Sequence, residues 1–184
     1  MNAYIIYIQD HEDSEKFSDR CLQSIIDTKS DLDVEKFPAI TPENMWEVNY
    51  TWPLRKKKKC AKTGLLLSAY KTYDNNKRIA AAQSHYMLWR KCATLGQPIL
   101  ILEHDAIFTK KFDLSILEWF PDNGAVSIND PIGATFSAKE YDKKLHNGIN
   151  EVPWLTGNDV PQGLPGHSAY IIYPEAAREV MKLQ

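Results

Sequence analysis

Pro98-Ile99-Leu100-Ile101-Leu102-Glu103-His104-Asp105 is the stretch whose reading decides the fold. Four branched apolar residues follow one another without a polar interruption and give way to two carboxylates one residue apart. In an α/β protein such a run is a parallel strand covered on both faces, and its carboxyl end opens into a ligand crevice. Side chains alternate along a strand, so Glu103 and Asp105 are expected on one face and His104 on the other. Paired carboxylates there suit a divalent cation such as Mg2+ or Mn2+, which prefers oxygen and needs few protein ligands when phosphates supply the rest. The same spacing also fits an ordinary acidic junction between strand and loop.

The chain of 184 residues is 43% apolar and 25% charged, enough for one folded domain with a proper core. Its formal net charge of -2 conceals an asymmetry. From Asp10 to Glu35 nine acidic residues face three basic ones, whereas from Arg55 to Lys91 eleven basic residues face Asp74 alone. A basic region of this kind attracts phosphate-bearing ligands, and the near-neutral total does not call for a nucleic acid. Cys21, Cys60 and Cys92 have no C-x-x-C spacing, so they form neither a zinc nor a disulfide framework and point to a reducing, cytoplasmic setting. No stretch reaches the roughly 20 apolar residues of a membrane span, and no signal peptide is visible.

Going outward from the central stretch, Arg78 to Leu95 reads as the helix before it, with Ile79, Ala82, Tyr86, Trp89 and Ala93 on one stripe and Gly96 as its stop. His85 lies along the same side, where a satisfied boundary histidine is the ordinary reading. Tyr4 to Ile8 predicts a first strand, and Ser14 to Asp27 a helix capped by Asp13 or Ser14. The intervening loop has no glycine, so a dinucleotide fingerprint is absent. Phe37-Pro38-Ala39-Ile40 predicts a short edge strand, since Pro38 excludes a central one. Thr41 to Asn44 is expected to start a short helix, and Leu65 to Tyr73 to form another. The run Arg55 to Lys59 reads as a solvated loop, or as a cationic lip over a diphosphate.

Beyond the central stretch, a short helix is expected through Leu114, Leu117, Trp119 and Phe120, and a strand from Ala125 to Asp130. Residues 131 to 166, rich in glycine and proline, predict a long irregular segment on the substrate side. Gly166 to Tyr173 returns as a strand, and Pro174 opens a helix from Glu175 to Leu183. The chain stops at about that helix, which is short for a complete two-substrate enzyme.

Three motifs in series, Ser84-His85-x-x-Leu88-Trp89, Ile99 to Asp105, and Gly166-x-x-Ala169-Tyr170-x-Ile172, resemble glycosyltransferase family 25, the lipopolysaccharide-biosynthesis and collagen-galactosyltransferase-like group. The match covers about residues 78 to 182. It implies a GT-A-like α/β fold spanning residues 1-184 as a single domain, a Rossmann-like, mostly parallel sheet flanked by helices. It also implies a nucleotide-sugar donor, often uridine diphosphate linked, with Mn2+ or Mg2+, and a saccharide or lipid-linked (glycolipid) acceptor. By this resemblance Asp105 coordinates the metal, with Glu103 on the ribose or a metal-bound water. Arg78, His85 and the lysines from Lys56 to Lys59 assist, and the loop from Tyr7 to His11 lies near the nucleobase. Asp159, Asp130 and His167 are the candidates for the general base of an inverting transfer.

The chain departs from the family pattern in three places. His104 replaces a middle aspartate, Ala80-Ala81-Ala82-Gln83 stands where a Gly-Cys pair is frequent, and members continue beyond the last helix. These departures keep open a degenerate relative that binds carbohydrate or serves assembly. A different phosphate-handling α/β enzyme is a third reading.

Overall fold

Strands form where the sequence sets branched and aromatic residues in a row. The computed structural model describes residues 1–47, 58–59, 66–67, 72–118, 124–130, 138–152 and 167–182. These fall into two compact units, residues 1–45, 75–129 and 167–184 in the first, residues 46–74 and 130–166 in the second.

In the first unit β1 (Asn2–Tyr7) leads through α1 (Glu12–Asp27) to β2 (Asp33–Pro38), which lies parallel to β1. The cap of α1 is His11, not Asp13 or Ser14: the His11 ring accepts from the Ser14 amide, while the Ser14 side chain turns inward and is buried. Pro38 ends β2 at the edge of the sheet, as its missing N–H requires. The expected helix at Thr41 is only a turn, closed by Asn44, whose side chain accepts the Thr41 amide at 2.7 Å. Asn44 satisfies the free amide locally and leaves nothing to extend the helix.

In the second unit Lys58–Lys59 (β3) and Leu66–Leu67 (β4) pair antiparallel, so the leucine run carries a strand where a helix was expected. Its apolar residues are consecutive, and a run so short has no helical period to enforce. Among the described residues this unit also holds a short helix from Ala138 to Asp142 and a loop in which the Asn150 side-chain amide donates to the His146 and Gly148 carbonyls, both at 2.8 Å. Gly148, at φ 103, takes a conformation that a side chain would strain.

Back in the first unit, α2 (Asn75–Leu95) runs into β5 (Ile99–Glu103), with Gly96 at φ 67 ending the helix as expected. The buried residues of α2 are Ala80, Gln83, Ser84, Leu88 and Cys92, whereas the predicted stripe of Ile79, Ala82, Tyr86, Trp89 and Ala93 is only half-buried. Small residues let the helix approach the sheet, and Ser84 is admitted because its hydroxyl bonds the Ala80 carbonyl and accepts from the Ile40 amide. Leu114–Glu118 is a 3-10 turn, and β6 (Ala125–Ser127) is shorter than the strand expected to Asp130. Then β7 (Ala169–Ile172) passes through the Tyr173 cap into the last helix, Pro174–Met181.

The strand order is β2-β1-β5-β7-β6. β1 is parallel to β2 and β5, but β7 runs antiparallel to both β5 and β6. The sheet is therefore mixed rather than mostly parallel, because an apolar pattern such as Ala169 to Ile172 records burial and not direction.

Two cores cover its faces. Ala3, Ile5, Leu100, Leu102 and Ile171 pack with Cys21 and Ile25 of α1, while Tyr4, Ile6, Ile99, Ile101 and Ile172 pack with Leu88 and Cys92 of α2 and Ala177 of the last helix. Ile99 to Leu102 are fully buried, as a strand covered on both faces must be. No described helix is long and apolar enough to cross a membrane.

Candidate functional site

The strand order places a switch point between β1 and β5. From β1 the chain crosses by α1 to β2 on one side, then returns by α2 on the opposite face to β5 on the other side. Two crossovers that diverge in this way leave a crevice outside the carboxyl ends of the strands between them, where open α/β sheets bind ligands. Here those ends are Tyr7 of β1 and Glu103 of β5.

On the α2 side of the crevice four side chains form a linked cluster. The Tyr170 hydroxyl, from β7, lies 2.9 Å from Trp89 Nε1 and 2.9 Å from His85 Nδ1, both on α2. Indole nitrogen only donates, so Tyr170 accepts from Trp89 and has its own proton to give to His85 Nδ1. That arrangement leaves the imidazole proton on Nε2, which faces Glu103 Oε1 at 3.7 Å. His85 and Trp89 are four apart and so share one helix face. Tyr170 is opposite Ile101 in the register, two residues before Glu103, on the same face of the sheet.

Charge follows this geometry. The His85 N–H directed at it holds the Glu103 carboxyl below its ordinary range against the opposing effect of burial, with the electrostatic influence of His85, His167 and His104 adding. Burial pushes the Tyr170 phenol well above its ordinary value, so it stays a neutral donor. His167 keeps contact with solvent, yet crowding around its ring and then the neighbouring His85 hold it below its ordinary value, against the pull of Glu103. It is therefore neutral at pH 7 with a lone pair to offer. The backbone joins the groups, since the Glu103 amide donates to the Ser168 carbonyl at 2.8 Å.

On the α1 side His104 takes a different set of partners. Its Nδ1 is 3.1 Å from the Ser14 hydroxyl and its ring is stacked on Phe17, with centroids 5.9 Å apart. His104 and Glu103 thus point to opposite faces, as alternation predicts. Asp105 does not continue the pattern. The Ala106 amide donates to the Glu103 carbonyl at 3.1 Å and closes a turn, so the strand ends at Glu103 and Asp105 lies exposed in that turn. The charge of Asp105 is felt by Cys21 on α1, and Glu103 by the α2 cluster.

The sequence candidates are thus distributed unevenly. His85, Glu103 and His167 come together. Tyr7 ends β1 with the Lys36 ammonium 5.6 Å from its ring centroid, and Arg78 is half-buried in the first turn of α2. Asp130 is exposed and belongs to the second unit, and Asp159 and Lys56 lie outside the described residues. Tyr170 and Trp89 are legible in the sequence as strand, helix-stripe and motif residues but not as members of the site, although a tyrosine in an apolar strand and a tryptophan four after a histidine each carry a polar tip that burial obliges to find a partner.

Glu103 and Asp105 supply the hard oxygen donors that Mg2+ or Mn2+ takes. Among the described residues no three His, Cys, Asp or Glu side chains are grouped as a metal-ligand set.

Comparison with known proteins accords with this arrangement. The family model "Glycosyltransferase family 25 (LPS biosynthesis protein)" matches residues 1–184, and the chain belongs to that family. A search of curated proteins gives no match.

Proposed function

We propose, with family membership as the premise, that this chain transfers a hexose, galactose being one candidate, from a uridine-diphosphate-linked donor to a saccharide or glycolipid acceptor. Membership by itself suggests glycosyltransferase-type activity. The observation that carries the finer reading is convergence: the three motifs of the sequence deliver His85 and Trp89, hydrogen-bonded to Tyr170, to within 3.7 Å of Glu103 at the carboxyl end of β5.

Glu103, kept ionised by its neighbours, faces the crevice as a fixed negative group with its orientation set by His85. Asp105 would hold a divalent cation, and that ion, when bound, would offset the charge developing on the leaving diphosphate. Arg78 is the protein's own cation for the same phosphates. The nucleobase falls to the turn from Tyr7 to His11. His167, unprotonated at neutral pH and beside Glu103, is the favoured base for the acceptor hydroxyl, ahead of Asp130 and Asp159. The cysteine pattern favours a cytoplasmic setting.

Titration calorimetry with uridine diphosphate and Mn2+, on the protein and on Asp105→Ala, tests this. Binding that the variant loses supports the reading. Failure of the unaltered protein to bind any of several nucleoside diphosphates overturns it.

A further inference from the structure

We infer that His104 is a positioning residue: through the Ser14 hydroxyl it straps the β1–α1 turn to the end of β5. Its purpose, holding that turn ready for a nucleotide base, rests on the proposed transferase function, whereas the strap itself rests on hydrogen-bond geometry.

The turn from Ile8 to His11 needs a strap because nothing in its composition makes it rigid. It has no glycine, and Asp10 occupies the left-handed region at φ 60, a position that ordinarily favours glycine and that aspartate tolerates at some cost. Its backbone is held from the first turn of α1. Ile8 N–H donates to Ser14 Oγ at 2.8 Å, Asp10 N–H to Glu15 Oε1 at 3.0 Å, and Glu15 N–H to the His11 carbonyl at 3.0 Å.

Of these holding groups Ser14 is the one that reaches β5. Its side chain is buried, and its oxygen accepts from Ile8 while its proton has His104 Nδ1 as an acceptor 3.1 Å away. The His104 ring is fixed in turn by lying nearly parallel to Phe17, at an interplanar angle of 20°, and the Arg20 guanidinium is 5.2 Å from the Phe17 ring centroid. The chain Ile8, Ser14, His104 therefore bridges the carboxyl ends of β1 and β5, the two strands that flank the switch point. A histidine between the two carboxylates is accordingly not a gap in an acidic site. It faces away from Glu103 and ties the β1–α1 turn to the end of β5.

The experiment uses the full chain and three single variants: His104→Phe, which keeps the stack but loses the acceptor; His104→Asn, which keeps an acceptor near Nδ1; and Ser14→Ala. Amide exchange at Ile8 and the imidazole 15N shifts of His104 report the strap without any ligand. Titration with uridine diphosphate and Mn2+ reports its purpose. The expected result is an unprotonated Nδ1, faster Ile8 exchange in His104→Phe and Ser14→Ala, and an affinity roughly tenfold weaker in each, the lower end of what supporting contacts contribute at a metal site. A double variant combining His104→Phe with Ser14→Ala should be no worse than either of these alone, and His104→Asn should stay close to the unaltered protein.

Unchanged Ile8 exchange in His104→Phe, or additive losses in the double variant, overturns the strap. Lower melting temperatures with undiminished affinity assign His104 to stability alone and overturn the positioning role. If the unaltered protein binds no nucleotide, the transferase reading falls and takes that role with it, while Ile8 exchange still decides whether the strap exists.

Discussion

His85 meets Tyr170 twice, ring against ring with centroids 5.7 Å apart and Nδ1 against hydroxyl at 2.9 Å. A contact that fixes both plane and proton leaves the imidazole a single orientation, with Nε2 toward Glu103. The α2 helix and the β5 carboxylate are in this way coupled through a residue of β7.

Tyr170→Phe keeps the ring and deletes the hydroxyl on which Trp89 Nε1 and His85 Nδ1 both depend. Leaving such partners unsatisfied costs about 1–3 kcal/mol. At this chain length that is a loss of several degrees in melting temperature, measurable by thermal or urea unfolding. Transfer activity should fall further than stability, because His85 loses the bond that aims it.

Glu103→Gln separates charge from shape. The Glu103 side chain is 42% exposed, so the pairing with His85 contributes little to folding, and unfolding midpoints should barely move. Binding of uridine diphosphate with Mn2+ should weaken by about one to two orders of magnitude. A variant that binds as well as the unaltered protein would remove Glu103 from the site.

Acid should weaken the fold in two stages. His167 has a folded-state pKa below its ordinary 6.5, so the unfolded chain takes up its proton first, and the stability this group contributes is complete above about pH 6.5 and declines below it. Glu103 is held below its ordinary 4.5, so its contribution, a small one because the side chain is 42% exposed, is complete above that pH and is lost as pH falls through the depressed value. Urea midpoints between pH 8 and pH 4 should decline with falling pH, and His167→Gln should flatten the upper part of that curve.

The buried thiols should be chemically silent. Burial pushes Cys21 up to about 12, with Asp105 adding to the rise, and Cys92 up to about 11. The thiolate is the reactive form, so labelling of either residue by iodoacetamide at pH 8 should be negligible in the native protein and complete in denaturant. Peptide mass spectrometry distinguishes these two from Cys60.

Much of the architecture could be read from residues whose local demands agree with the global fold. Ile99 to Leu102 have no polar side to expose, Pro38 excludes itself from an interior strand, and Pro174 suits a first helical turn. The errors fall where partners are distant. Ser84 counts as polar in any hydropathy pattern, yet its bond to Ile40, 44 positions away, makes it core. The direction of β7 is set by its pairing with β5, not by Ala169 to Ile172 themselves. Of the candidate site, Glu103 and His85 were legible as types at suggestive positions. Tyr170 was not, because its partner on α2 lies 85 positions away, and Asp105 was misread because alternation holds only while the strand continues.

The position of β5 also governs when the sheet can be completed. Its neighbours are β1, at residues 2–7, and β7, at residues 169–172, so the middle of the sheet joins segments far apart in the sequence. A nascent chain can assemble β1, β2 and β5 once residue 103 has emerged, but the far edge of β5 has no partner until β7 is made. Until then Ile99 and Ile101 lack the cover of Ile172 and Ala177. Pairings of such long sequence separation are slow to form, so the step that sets the folding rate should be the docking of the last strand and helix.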